Sequence, residues 1–276
     1  MLQCSPYEQV RALLLIISIS KKVNINMKPT KQRYRPFYNE GTCKQLKGKI
    51  GLVFIYLNDK ESQWTDDDVN SIQPYLQTMQ EFIIASAHEY KVYVDFTPLH
   101  IRYTRENTPL IYPKKIWPYD ATCRYKYNLD VLDTIAQLLS YASTAAMHED
   151  MQRKTGCTQV AYQILVNKSG RAYALLGEDT ESLKNYIEHA ILFSKYTKTD
   201  TTRYAGAYVH ELLHLFGAED LYRSKYRKAH SHLYPDDIMY TVRESIYSTK
   251  ISNITAYSLG WHNNLPEILK AKRWWQ

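Results

Sequence analysis

The chain predicts an α+β fold, and three observations carry that reading. Runs of strand length, rich in β-branched and aromatic residues, stand at 49–57 and 159–166. Longer stretches with helical spacing and helix-start residues are interspersed with them. The composition is globular: 45% hydrophobic and 23% charged residues, with only 9 Gly and 10 Pro and no internal repeat, excludes a solenoid or a disordered chain.

Residues 1–40 read as an N-terminal segment and 41–276 as the folded domain. Ala12 to Ile19, ALLLIISI, is too short to span a membrane but has the length of a signal-peptide core, with Ser18 and Ser20 as small residues for cleavage. Against this, Glu8 offsets Arg11 ahead of it, Lys21 and Lys22 follow it, and Ser5-Pro6-Tyr7-Glu8 reads as the capping box of a retained helix. Export, giving a secreted protein, is the expectation, with cytoplasmic retention as the alternative. Residues 23–46 are polar and basic, an extended lead-in; a propeptide masking a metal through Cys43 is a weaker alternative.

Lys49 to Leu57 is expected to form a central strand. Thr65 then caps a helix running to about Tyr90, with Asp66, Asp67 and Asp68 at the positive end of its dipole; a calcium loop is disfavoured because alternating ligands and a central glycine are missing. Lys91 to Phe96 and Leu99 to Tyr103 read as further strand, and Asp130 to Ser143 as helix. His148-Glu149 is followed by Arg153 rather than a second histidine, so it is no metal motif. Gln159 to Val166 and Arg171 to Leu176 are expected to pair as a hairpin through Asn167-Lys168-Ser169-Gly170. Asn185 to Phe193 fits strand or helix, with His189 expected at the surface. Asp200 or Thr201 is expected to cap a helix over 202–216, and Ser252 to Trp261 to form a terminal helix.

The chemistry concentrates in His210-Glu211-Leu212-Leu213-His214-Leu215-Phe216-Gly217-Ala218-Glu219-Asp220. Histidines four apart on a helix project from one face, so both imidazoles reach one small cation. Glu211, beside the first, reaches a water on that cation without ligating it. Gly217 allows the helix to stop in a left-handed turn, and Asp220 then supplies a third ligand, leaving a fourth position open. An HExxH string alone arises by chance on the order of once in a hundred chains of this length, but Gly217, Asp220 and a downstream methionine make coincidence far rarer. The plain alternative is a helix with two surface histidines and a glycine cap. His230 and His232 are an alternative source of the third ligand.

These residues resemble the metzincin metallopeptidases, in the HExxHxxGxxD variant shared with snapalysin-like enzymes. The clan carries a methionine turn under the metal, and Asp237-Ile238-Met239-Tyr240 is similar to it. The resemblance implies a zincin-like twisted mixed sheet, an active-site helix, and a small C-terminal subdomain carrying Met239. It implies Zn2+ held by His210, His214 and Asp220, Glu211 as general base, and an edge strand holding an extended peptide, for which 185–193 is a candidate. Some branches support the oxyanion with a tyrosine two residues after the methionine; here that position is Thr241, and Tyr240 is the candidate.

The expected function is therefore that of a zinc endopeptidase acting on protein or peptide substrates as a monomer. A metzincin-scaffold binding protein with weak catalysis is the alternative. The net charge of +7 and pI near 9.0 are spread along the chain without a nucleic-acid motif, so no specific nucleic acid is expected. The basic and aromatic stretch Tyr222 to His232 is expected to bias cleavage towards acidic or aromatic side chains, with a solvated loop as the alternative. Four cysteines without C-x-x-C spacing argue against a cysteine metal site or redox motif, while a disulfide among Cys43, Cys123 and Cys157 fits an exported protein.

Overall fold

Lys49 to Leu57 is apolar on both sides of its alternation, which suits a strand covered on both faces. A computed structural model describes residues 41–120, 122–176, 187–197, 199, 201–223, 227–264 and 266. In it, this run lies within β1 (Gly48–Leu57), inside a five-stranded sheet of order β2-β1-β3-β5-β4. The other strands are β2 (Val94–Ile101), β3 (Gln159–Ser169), β4 (Tyr173–Leu175) and β5 (His189–Lys195). Strands β2, β1, β3 and β5 are parallel, and β4 is antiparallel to β5. The fold is α+β with a mixed sheet.

Helix α1 (Asp66–Glu89) has the expected cap: Thr65 Oγ1 accepts from Asp68 N at 3.1 Å, and Asp68 Oδ2 accepts from Thr65 N at 3.1 Å. With α4 (Ala205–Leu215) it covers one face of the sheet, against Ile50, Leu52, Phe54 and Tyr56. Helices α2 (Val131–Leu138) and α3 (Thr144–Thr155) cover the other, against Val53, Ile55 and Leu57. Helices α5 (Arg227–Leu233) and α6 (Asn253–Ser258) follow α4. No helix among the described residues is long and apolar enough to cross a membrane.

Several expectations are corrected. The two strand runs at 91–96 and 99–103 are one strand, β2, with Pro98 inside it; a strand at the edge of the sheet tolerates the missing N–H. The helix expected over 130–143 breaks at Ser140, whose φ is +59°, and a second helix, unforeseen, starts at Ser143, whose hydroxyl accepts from Ala146 N. The hairpin does not form. Strand β5 lies between β3 and β4, and Gly170 lets the chain pass over Phe193, whose ring carbon lies 2.4 Å from where a Cβ would stand. The expected edge strand at 185–193 is instead the interior strand β5, and the sheet edge nearest α4 in sequence is β4; residues 185 and 186 lie outside the described set. His189 is fully buried rather than at the surface, and desolvation pushes its pKa down to about 4.

The helix expected from 202 starts at Ala205 with no side-chain cap, and Asp200 lies outside the described residues. Residues 201–203 are committed to β5: Tyr196 N donates to Thr201 O, and Arg203 N to Ser194 O at 2.7 Å. The Arg203 side chain, buried, donates through Nε to Phe193 O at 2.6 Å and through its terminal nitrogen to the Gly170 carbonyl. Cys43, Cys123 and Cys157 form no disulfide among the described residues. The readings on residues 1–40, including the signal sequence, lie outside them.

Helix α4 ends in a Schellman turn. Gly217, with φ +88°, donates to His214 O, and Ala218 N reaches back to Leu213 O at 3.1 Å. An added Cβ there meets nothing nearer than Ser258 O at 3.8 Å, so its cost is conformational. Gly217→Ala is expected to lower stability by about 1 kcal/mol, and Gly217→Asn by less, in urea denaturation; an unchanged midpoint for the alanine variant contradicts the left-handed turn.

Candidate metal centre

Ten of the eleven residues of α4 are buried, because the helix is enclosed by the sheet, α1 and the C-terminal segment. A helix apolar all round has no solvent face, so its polar residues need local partners. His210 and His214 find theirs through Nδ1. His210 Nδ1 lies 3.0 Å from Ile238 O, and His214 Nδ1 lies 2.7 Å from Ala218 O. A carbonyl only accepts, so both Nδ1 atoms carry the proton and both Nε2 atoms present a lone pair.

Those lone pairs face each other and a carboxylate. The two Nε2 atoms are 3.2 Å apart, and Asp220 Oδ1 lies 3.0 Å from His210 Nε2 and 3.3 Å from His214 Nε2. Ligands at about 2.0–2.1 Å around a tetrahedral ion lie about 3.3 Å from one another, so these spacings fit a small divalent cation with little movement. His210, His214 and Asp220 are the one group of metal-capable side chains found among the described residues. Burial by itself would raise the Asp220 pKa, but the bonds that His210 and His214 donate through Nε2 when they carry a second proton outweigh it and hold the carboxyl far below the usual range. Burial by itself would lower His214, yet the bond its protonated Nε2 makes to Asp220 and the charges of Glu211 and Asp220 leave it raised. The site demands positive charge.

Glu211 is 8% exposed, and its Oε2 has no hydrogen-bond partner, an expensive state for a buried carboxylate unless a ligand or water completes it. Met239 is fully buried. Its turn closes by Tyr240 N and Thr241 N donating to Asp237 O at 2.9 Å, and it touches the ligands through backbone: Ile238 O holds His210, and Met239 O accepts from Leu221 N at 3.0 Å. Asp237, buried, accepts from Met239 N, Ser252 N and Thr255 Oγ1, tying the turn to the start of α6.

His230 and His232 are not brought to this group. His230 Nδ1 is bound to Leu221 O at 2.9 Å, and His232 is exposed on α5, a helix where the sequence suggested only loop. Tyr240 packs half-buried against the core. The ring stacked on a ligand imidazole is Tyr222, 6.1 Å from His210 between centroids and inclined at 21°. Its hydroxyl accepts from Arg171 at 3.1 Å, and desolvation followed by the Asp220 charge pushes its pKa up to about 12. Sequence reasoning placed Tyr222 in a general basic stretch and missed Arg171. The one available signal was that Tyr222 lies two residues beyond Asp220.

A comparison with protein-family models finds no match, and a comparison with curated proteins finds none either.

Zinc titrated into metal-free protein is expected to bind one to one, and His214→Ala to abolish that binding. Because His214 must lose its proton to ligate and its pKa is raised above the ordinary 6.5, affinity is expected to start falling on acidification above that pH. Isothermal titration calorimetry across pH checks this; an affinity flat down to the ordinary histidine range contradicts it.

Proposed function

We propose that this chain is a zinc-dependent endopeptidase of metzincin type. The observation that carries the reading is the convergence of two imidazole lone pairs and one carboxylate oxygen, with each Nδ1 already bound to backbone. Three protein ligands with room for water is the arrangement of a catalytic rather than a structural zinc site. The unpartnered Oε2 of Glu211 beside them supports the enzyme over a binding protein on the same scaffold.

His210, His214 and Asp220 would hold the ion, which when bound lowers the pKa of water and polarises a carbonyl. Glu211 takes the proton of the attacking water and delivers it to the leaving amine. Its burial keeps that carboxylate away from competing solvent. Ile238 O and Ala218 O keep the imidazoles in the ligating tautomer and orientation. Strand β4 supports a peptide substrate: among the described residues it pairs with β5 alone and packs near α4, so a chain added along its other edge would lie extended beside the proposed ligands. Tyr240 is kept as a candidate for oxyanion support, alongside Tyr222, whose ring stacks on His210.

Asp220 adds a negative charge that a third histidine would not, which binds the cation more firmly and moderates its Lewis acidity. Glu211→Ala is expected to retain zinc and lose hydrolysis of a proteome-derived peptide library by at least about a hundredfold. Mass-spectrometric cleavage profiling, with a chelator control, is the check; cleavage that survives Glu211→Ala contradicts the assigned base.

A further inference from the structure

Beside the ligand cluster two guanidinium groups lie against one aromatic ring. Arg171 Cζ is 5.1 Å and Arg223 Cζ 4.8 Å from the centroid of Tyr119. They come from separate parts of the chain. Arg171 lies two residues ahead of β4, and Tyr119 N donates to its carbonyl at 3.1 Å. Arg223 follows Asp220 by three residues and donates through Nε to Asp220 Oδ2 at 3.2 Å. Tyr222 joins the two, stacked on His210 and accepting from Arg171.

Among the described residues two cations and one anion meet here: Arg171 donates to the Tyr222 hydroxyl, and Arg223 donates to Asp220 Oδ2. Asp220 also turns its other oxygen towards the imidazoles, so its single charge is shared between Arg223 and whatever cation the histidines hold. Two like charges against one phenol ring repel each other unless an anion comes between or beside them. Both remain accessible: Arg171 is exposed, and the Arg223 side chain is 44% exposed. Guanidinium forks with aromatic backing are the side chains best suited to binding a carboxylate.

We infer that Arg171, Arg223 and Tyr119 form a carboxylate-binding position at the N-terminal end of the edge strand β4, adjoining the metal centre. The inference rests on the peptidase reading and names its substrate class: peptides bearing a carboxylate next to the bond cleaved, whether an acidic side chain or the free C-terminus. Arg171 and Arg223 are specificity residues and take no part in moving protons. The sequence pointed only to the stretch 222–232 for such a bias; the structure adds Arg171, fifty-one residues before Tyr222.

Binding separates this from catalysis. Zinc-loaded Glu211→Ala protein is titrated into fluorescein-labelled alanine hexapeptides carrying one Glu or one Gln, each with a free or amidated C-terminus. The expected result is binding about tenfold tighter for a carboxylate than for its amide counterpart. That ratio should fall towards one in Glu211→Ala with Arg171→Gln, and fall with added salt in the parent. The arm that shows the ratio, Glu against Gln or free against amidated end, identifies the source of the carboxylate. Equal binding of acid and amide peptides in the parent, or a ratio untouched by both Arg171→Gln and salt, overturns the inference. Should Arg171→Gln fail to fold, the salt series on the parent decides. Absence of hydrolysis by the wild-type protein tells against the peptidase reading alone and leaves these ratios measurable.

Discussion

The bond from His210 Nδ1 to the Ile238 carbonyl is the contact on which the centre depends. It joins the helix that carries both histidines to the turn that carries Met239, twenty-eight residues later in the chain. Buried as it is, it does not exchange with water, so it fixes the imidazole tautomer as well as its direction. The turn is held in place by Asp237, whose carboxylate accepts from the backbone of Met239 and Ser252 and from the Thr255 hydroxyl. Burial pushes the Asp237 pKa up, and those donors are what keep such a group tolerable inside the protein. Through the same turn Met239 O holds Leu221, next to Asp220. Ligands from two parts of the chain thus hang on one clamp.

The remaining architecture serves to deliver α4 to that clamp. Its first turn is set by Arg203, which spans the carbonyls of Phe193, Lys195 and Gly170 and so ties the end of β5 to the crossing that leads into β4. Its last turn is set by Gly217, whose left-handed conformation reverses the chain towards Asp220. Between these ends the helix is buried on all sides, which makes local partners for its polar groups obligatory. Two buried atoms of this helix are without a hydrogen-bond partner, the Tyr208 hydroxyl and Glu211 Oε2, and of these only Glu211 carries a carboxylate, the group the proposed reaction uses as its base.

Charge links the centre to its surroundings. Two imidazole lone pairs and two carboxylates call for a cation, while Arg171 and Arg223 on the far side of Asp220 call for an anion. A peptide lying along β4 with a carboxylate at its Arg171 end would meet the second demand while its backbone faced the first. Tyr222 links the two, stacked on His210 and accepting from Arg171, and Tyr119 backs both guanidinium groups.

The cluster of His210, His214 and Asp220 was legible in the sequence because helical spacing alone puts positions four apart on one face, and a glycine followed by a carboxylate marks the turn back. The Thr65 cap was legible for the same reason, since it is local in sequence, and the structure adds the reciprocal bond to the Asp68 side chain that completes a capping box. What the sequence determined was local: which residues cap, turn, or share a helix face. The hairpin expected at 167–170 failed because strand pairing is a choice among distant segments, and β5 competes for the edge of β3. The edge-strand assignment moved from 185–193 to β4 with it. Arg171, Arg203 and the carbonyls of Ile238 and Ala218 carry no sequence signature, because their roles come from where the chain brings them. Only the tertiary structure decided those, since contacts between residues tens of positions apart depend on packing rather than on spacing.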